Sequence, residues 1–146
     1  MESEVVLIAG LPGCGKTTLL CQMLRDHWLI FDDFKREAFN NSSKFRDSRK
    51  FDALIHALRD QVRCVVTDIN FCRLDSRHEA EREVLAEVPH VTLSWPFFEN
   101  DPSACEANAR IRNRVCLQRE LDLIAELSPL YCIPQDAVVL PVGRKL

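Results

Sequence analysis

The chain has 146 residues, 47% hydrophobic and 28% charged, with a formal net charge of −3. That is long enough for one domain with a real core, expected over residues 1–146, and too short for a nucleotide-binding domain plus a separate helical lid domain, which argues against a motor-type ATPase. So small a charge supplies no global field toward nucleic acid or an anionic membrane, no apolar run approaches the ~18 residues of a membrane span, and Met1-Glu2-Ser3-Glu4 is acidic where a secretion signal is basic, so the expected location is cytoplasmic.

Val5-Val6-Leu7-Ile8-Ala9 is a continuous apolar, β-branched run, as in a strand buried on both faces. Gly10-Leu11-Pro12-Gly13-Cys14-Gly15-Lys16-Thr17 follows, holds three of the four glycines and fits the phosphate-binding pattern G-x-x-x-x-G-K-[ST]. Leu19, Leu20, Met23 and Leu24 then recur at helical spacing. Strand, glycine loop and helix is the order that phosphate binding needs. Without a Cβ at Gly10, Gly13 and Gly15, the backbone curls so that successive N–H groups aim at a nucleotide's β- and γ-phosphates, and the helix adds its positive dipole end. Lys16 is placed to neutralise those oxygens and the Thr17 hydroxyl to ligate Mg²⁺, with Thr18 completing the nucleotide-binding segment. A bare strand-to-helix turn would require neither Lys16 nor Thr17.

Trp28-Leu29-Ile30-Phe31 predicts a second strand, with Asp32-Asp33 at its tip. Lys35 to Lys50 is polar and reads as the most mobile stretch, with a helical turn near Arg36 to Phe39. Its basic end carries Lys44, Arg46, Arg49 and Lys50, and the interleaved Phe45 and Phe51 are either base-stacking platforms or core anchors. Phe51, Leu54, Ile55 and Leu58 mark an amphipathic helix. Cys64-Val65-Val66-Thr67 is a third strand ended by Asp68, and Ser76-Arg77-His78-Glu79 has the capping-box form that opens a helix over Ala80, Val84, Leu85 and Val88. Val91 to Trp95 is a fourth strand. Asp101-Pro102 caps a helix expected to run to Leu127, and Ala137 to Leu140 is a fifth strand before a basic tail.

Strands thus alternate with helices, which predicts an open parallel α/β sheet with helices on both faces. Ligands in such sheets bind beyond the carboxyl ends of the strands, where Gly10, Asp32, Asp33, Asp68, Asn70 and Pro96 all fall. Asp68 is placed either to reach a Mg²⁺ held at Thr17 or to cap a turn. Asp32 or Asp33 is placed to take the proton of an acceptor hydroxyl, unless both are solvated loop acids. On an extended backbone adjacent acids point to opposite sides, so one of the two would face the site. Arg110 and Arg114 share a helical face and could neutralise a transferring phosphoryl group, with Arg112 turned about 200° away. Asn70, Arg73 and Arg77 are candidates for holding an anionic substrate, and Arg77 in a first helical turn opposes the dipole. The seven cysteines contain no C-x-x-C pair, which fits neither a disulfide framework nor a zinc site. Cys14, beside Lys16 at a helix N-terminus, is the candidate for a reactive thiolate.

Taken together, the Gly10 to Thr17 loop, the acids Asp32-Asp33, the segment Asp68-Ile69-Asn70-Phe71 and the arginines from Arg110 to Arg114 resemble the small P-loop kinases. The likeness is to the group of polynucleotide 5′-hydroxyl kinases, zeta-toxin-like kinases and related small-molecule kinases. It spans nearly the whole chain, although only the Gly10 to Thr17 motif is highly specific. The resemblance implies a five-stranded sheet in order 2-3-1-4-5, ATP with Mg²⁺, an acceptor-site aspartate at Asp32 or Asp33, and a short lid within residues 97–116 carrying Arg110 to Arg114. Cys14 replaces the serine common in that group, and Phe97 to Pro102 departs from its usual lid entry. The function expected is an ATP-dependent phosphotransferase acting on a hydroxyl of a small molecule or a nucleic-acid 5′ end. The alternatives are an ATP-binding regulatory module or NTPase without an acceptor, and a GTPase switch, for which the sequence offers no Asn-Lys-x-Asp motif.

Overall fold

The computed structural model describes residues 3–34 and 44–143. The helical turn expected near Arg36 to Phe39 and the basic tail lie outside the described residues. In chain order the elements are β1 (Glu4–Ile8), α1 (Lys16–Arg25), β2 (Leu29–Phe31), α2 (Phe51–Arg59), β3 (Cys64–Thr67), α3 (Leu74–Glu87), β4 (Thr92–Ser94), β5 (Phe97–Phe98), α4 (Pro102–Arg112), α5 (Leu117–Leu127) and β6 (Val139–Leu140). Short 3₁₀ turns occupy Phe45–Asp47 and Ile69–Cys72.

The apolar runs dictate the centre of the sheet. Val5, Leu7 and Ile8 of β1 and Cys64, Val65 and Val66 of β3 are fully buried, as expected of central parallel strands covered on both faces. The register runs from Val5↔Cys64 to Ile8↔Thr67; β2 adds outside β3 with Phe31↔Val66, and β4 flanks β1 with Val5↔Leu93. The main sheet therefore has four parallel strands in order β2-β3-β1-β4, which corrects the five-stranded expectation.

Proline accounts for the difference. Pro96 has no N–H to give a ladder, and the strand expected from Val91 to Trp95 stops at Ser94. The chain then re-engages β1 beyond its end: Ala9 donates to the Pro96 carbonyl at 3.3 Å and Phe98 to the Ala9 carbonyl at 2.9 Å. The fifth expected strand, shortened to β6, pairs with β5 through Phe97↔Val139 and Phe98↔Leu140, forming a separate parallel pair.

Two helix expectations also change. Asp101 caps α4 by accepting from the Ala104 N–H at 3.1 Å, with Pro102 as the first helical residue. The helix ends at Arg112, because Asn113 takes a left-handed conformation (φ 47°) that asparagine tolerates at helix ends, and α5 starts afresh at Leu117. At α3 the helix opens at Leu74 and the Ser76 capping box goes unused. Glu79 and the buried Glu83 instead accept the N–H groups of Phe45 and Arg46, fixing the Phe45–Asp47 turn against α3.

Candidate active site

The loop between β1 and α1 takes its shape from positions that only glycine fills. Gly13 and Gly15 have φ of 83° and 108°, a region that side chains rarely enter. A Cβ on Gly13 would stand 2.5 Å from the Cys105 carbonyl oxygen, and one on Gly10 would stand 2.6 Å from Cys14 Sγ. Gly15 is the N-cap of α1, whose first turn contains no acidic residue. The exposed N–H groups and dipole of that turn therefore favour an anion, with Lys16 adding a cation. The Lys16 ammonium donates to the Gly10 carbonyl across the loop. Leu11 and Cys14 are buried, so the Cys14 side chain is packed inside the loop and not presented to solvent.

Phe31-Asp32-Asp33-Phe34 shows how the second strand aims its acids. Phe31 and Phe34 are buried, and the Phe34 ring stacks on Phe45 at 4.3 Å between centroids, with Phe45 in turn edge-on to Phe51 at 5.8 Å. Rings anchored on either side push the two acids between them outward. Asp33 is left-handed (φ 47°), so the alternation of an extended strand does not apply, and both Asp32 and Asp33 line the same cavity as the glycine loop. Asp32 Oδ1 accepts from the Thr67 hydroxyl and, at 3.0 Å, from the Asp33 N–H. The Lys50 ammonium, from the turn before α2, donates to the Asp32 carbonyl.

Asp68 ends β3 as a buried carboxylate. Its Oδ1 accepts from the Asn70 N–H and the Asn70 side-chain amide, each at 2.8 Å, so Asp68 caps the Ile69–Cys72 turn and also lines the cavity. Asn70 itself is buried against Asp68 and lies outside the lining.

The far wall comes from the α4–α5 joint: Arg112, Arg114, Cys116, Arg119, Glu120 and Leu123. Arg110 is exposed and stands outside this lining. The shared face expected of Arg110 and Arg114 is absent because the helix ends between them, and Arg112, expected to turn away, enters the wall. Arg119 and Glu120 were missed in the sequence; the Asn113 helix stop is the signal that would have pointed to them, and to the different place of Arg112.

Arg77 lies outside the cavity lining. It is buried, donates to the Phe71 and Cys132 carbonyls at 2.8 and 2.7 Å and lies over the Phe97 ring at 5.0 Å. Burial lowers its pKa from the usual arginine value. Two carbonyls and an aromatic face, not a substrate, explain a cation in the first turn of α3. Arg73 pairs with Glu126 at 3.1 Å and also lies outside the cavity lining.

The resulting cavity of about 340 Å³ is bounded by residues 12–18 of the glycine loop, the acids Asp32, Asp33 and Asp68, and the arginine-bearing joint. It brings the backbone N–H groups and Lys16 of the glycine loop, carboxylates and guanidinium groups to one space at the carboxyl ends of β1, β2 and β3, as expected of open α/β sheets. Among the described residues, no cluster of three or more His, Cys, Asp or Glu side chains could hold a metal, and no helix is long and apolar enough to cross a membrane.

No protein-family model matches the sequence, and no curated protein sequence matches it. Solved structures do share its fold. A gluconokinase from Sinorhizobium meliloti 1021 superposes with a TM-score of 0.63 at 12% identity, covering 98% of this chain and 84% of its own. A fungal RNA kinase gives 0.63 at 17% identity, covering 100% of this chain and 76% of its own. A shikimate kinase from Bacteroides thetaiotaomicron gives 0.50 at 16% identity, covering 96% and 86%. At such identities the likeness establishes a shared fold and no more.

Proposed function

We propose that the protein is an ATP-dependent kinase that moves the γ-phosphate of ATP to a hydroxyl of a small molecule. The observation that carries this reading is the meeting of Lys16 and the glycine loop with Asp32 and Asp33 in one cavity. The loop and the start of α1 hold the donor phosphates, and Lys16 neutralises their oxygens. Asp32 or Asp33 accepts the proton of the acceptor hydroxyl. Asp32 has one oxygen engaged by Thr67, which leaves the other to face an acceptor.

The residues at hand fit Mg²⁺. Thr17 and Asp68 offer hard oxygen donors on the same cavity, and this cation takes few protein ligands, the rest coming from water and phosphate. When bound, it would spread the charge of the β- and γ-oxygens. Arg112, Arg114 and Arg119 supply further positive charge on the opposite wall.

A small acceptor is favoured over a nucleic-acid end by the fate of the basic stretch before α2. Phe45 and Phe51 are buried, Arg46 pairs with Glu83, and Lys50 is tied to the Asp32 carbonyl, so these groups serve the fold. The similarity to a gluconokinase and a shikimate kinase agrees with this choice, whereas the RNA kinase keeps nucleic acid as the competing acceptor.

The test is transfer of labelled γ-phosphate from ATP to a panel of polyols, hydroxy acids, nucleosides and oligonucleotides. A small hydroxylated acceptor should be labelled, and Lys16→Ala should abolish transfer. Turnover retained in Lys16→Ala overturns the reading. ATP binding without transfer to any member makes the protein a regulatory module.

A further inference from the structure

The α4–α5 joint is closed by one ion pair. Arg112, the last residue of α4, donates to Glu120 in the first turn of α5, and both side chains are almost covered, at 14% and 11% exposure. The Cys116 thiol donates to the other carboxylate oxygen at 3.4 Å, so Glu120 is held on both oxygens. Both Arg112 and Glu120 line the cavity shared with Lys16.

Arg112 Nε is buried and has no hydrogen-bond partner among the described residues. A guanidinium N–H taken from water without an acceptor carries its full desolvation cost, which an anionic oxygen at that place would remove. The fork geometry explains how both can hold: a carboxylate on one part of a planar guanidinium fixes its orientation and leaves the remaining donors for a second anion. Arg114 follows the helix stop and is exposed. Arg110 is exposed and outside the cavity.

We propose that Glu120 is a positioning residue of this site: by holding Arg112 across the α4–α5 joint, it presents that guanidinium, and not Arg110 or Arg114, to the terminal phosphate of the donor. The proposal rests on the kinase reading above. In the transfer step the acceptor oxygen bonds to the γ-phosphorus while the bond from that phosphorus to the β,γ-bridging oxygen breaks. ADP keeps the electron pair, and the hydroxyl proton passes to Asp32 or Asp33. Arg112 forms no covalent bond and keeps its protons; it neutralises charge on the moving group.

The experiment needs no acceptor. Calorimetry compares the affinity for Mg-ADP with that for Mg-ADP plus aluminium fluoride, a mimic of the transferring phosphoryl group, in the full chain and in Arg112→Met, Glu120→Gln and the double variant Arg112→Met with Glu120→Leu. The unaltered protein should bind the mimic about 100-fold more tightly than Mg-ADP. Arg112→Met should lose most of that gain and Glu120→Gln about tenfold of it, with Mg-ADP affinity held within about threefold in both. The double variant replaces a covered ion pair by apolar groups, so its melting temperature should recover while the gain stays lost. A gain retained in either single variant, or restored in the double variant along with stability, overturns the proposal by making the pair purely structural. Absence of the gain in the unaltered protein also overturns it. Failure of the unaltered protein to bind Mg-ADP at all strikes the kinase reading instead.

Discussion

The side-chain amide of Asn108 donates to the Gly13 carbonyl at 2.9 Å and also to the Gly143 carbonyl, so one buried residue of α4 joins the glycine loop to the segment after β6. Gly143 completes the tie by donating to the Cys14 carbonyl at 3.1 Å. The loop that would cradle phosphate is thus fixed from outside as well as by its own glycines. Asn108→Leu should leave two carbonyls short of a donor, lowering stability by about 1–3 kcal/mol and raising the KM for ATP with little change in kcat. Asn108→Asp, which sets oxygen against oxygen, should behave at least as badly. Thermal melting with steady-state kinetics checks both; an unchanged KM in a destabilised variant would show that the tie serves the fold alone.

The glycines differ in what they tolerate. At Gly13 a Cβ would strike the Cys105 carbonyl oxygen at 2.5 Å, on a backbone with φ of 83°. Among the described residues, nothing lies within 4 Å of a Cβ added at Gly143. Gly13→Ala should cost upwards of about 2 kcal/mol and weaken ATP binding severely, while Gly143→Ala should stay within about 0.5 kcal/mol of the unaltered protein. Denaturant titration and nucleotide-binding calorimetry on the pair provide the comparison, and equal effects would contradict the loop geometry.

The same contrast explains what was legible in the sequence. The central strands and the glycine loop were readable because their signals are local: apolar runs for β1 and β3, and a motif whose residues each have a chemical reason to be there. The aromatic bracket of Asp32-Asp33 was visible as letters, but the left-handed Asp33 that turns both acids into one cavity was not. Helical periodicity related Arg114 to Arg110 only while the helix was assumed to continue. Asn113 ends it, and Arg112 takes the place on the wall. Pro96 likewise carried a readable warning against one continuous strand. Arg77 was the least accessible, since nothing local distinguishes a guanidinium bound to anions from one spent on the Phe71 and Cys132 carbonyls.

Arg77 therefore gives a prediction of the opposite kind from the cavity arginines. Arg77→Met removes the donors of two carbonyls and the cation over Phe97 but keeps much of the volume, so stability should fall by about 2–4 kcal/mol. Under conditions where the variant remains folded, the KM for the acceptor should match that of the unaltered protein. Chemical denaturation and initial-rate kinetics separate the two quantities. A large rise in acceptor KM at unchanged stability would restore a substrate role to Arg77.

The buried thiols, together with the Tyr131 phenol that burial likewise pushes up, shape how stability responds to alkali. Burial pushes Cys72 up from 9.0 to about 11 and Cys64 and Cys105 to about 12. In the unfolded chain these thiols lose their protons near the ordinary value, whereas the native state keeps them to higher pH. Between the two values the native state binds more protons than the unfolded one, so stability falls as pH rises. The contribution is whole below pH 9 and declines through the range up to the raised values. Each such thiol adds a downward slope approaching about 1.4 kcal/mol per pH unit. Urea denaturation under reducing conditions should therefore show a steepening loss of stability above pH 9. Cys72→Ala, although less stable near neutrality because of the cavity it leaves, should lose stability more gently than the unaltered protein as the pH is raised to about 11. Parallel pH profiles for the two proteins would show that Cys72 titrates alike in the native and unfolded states.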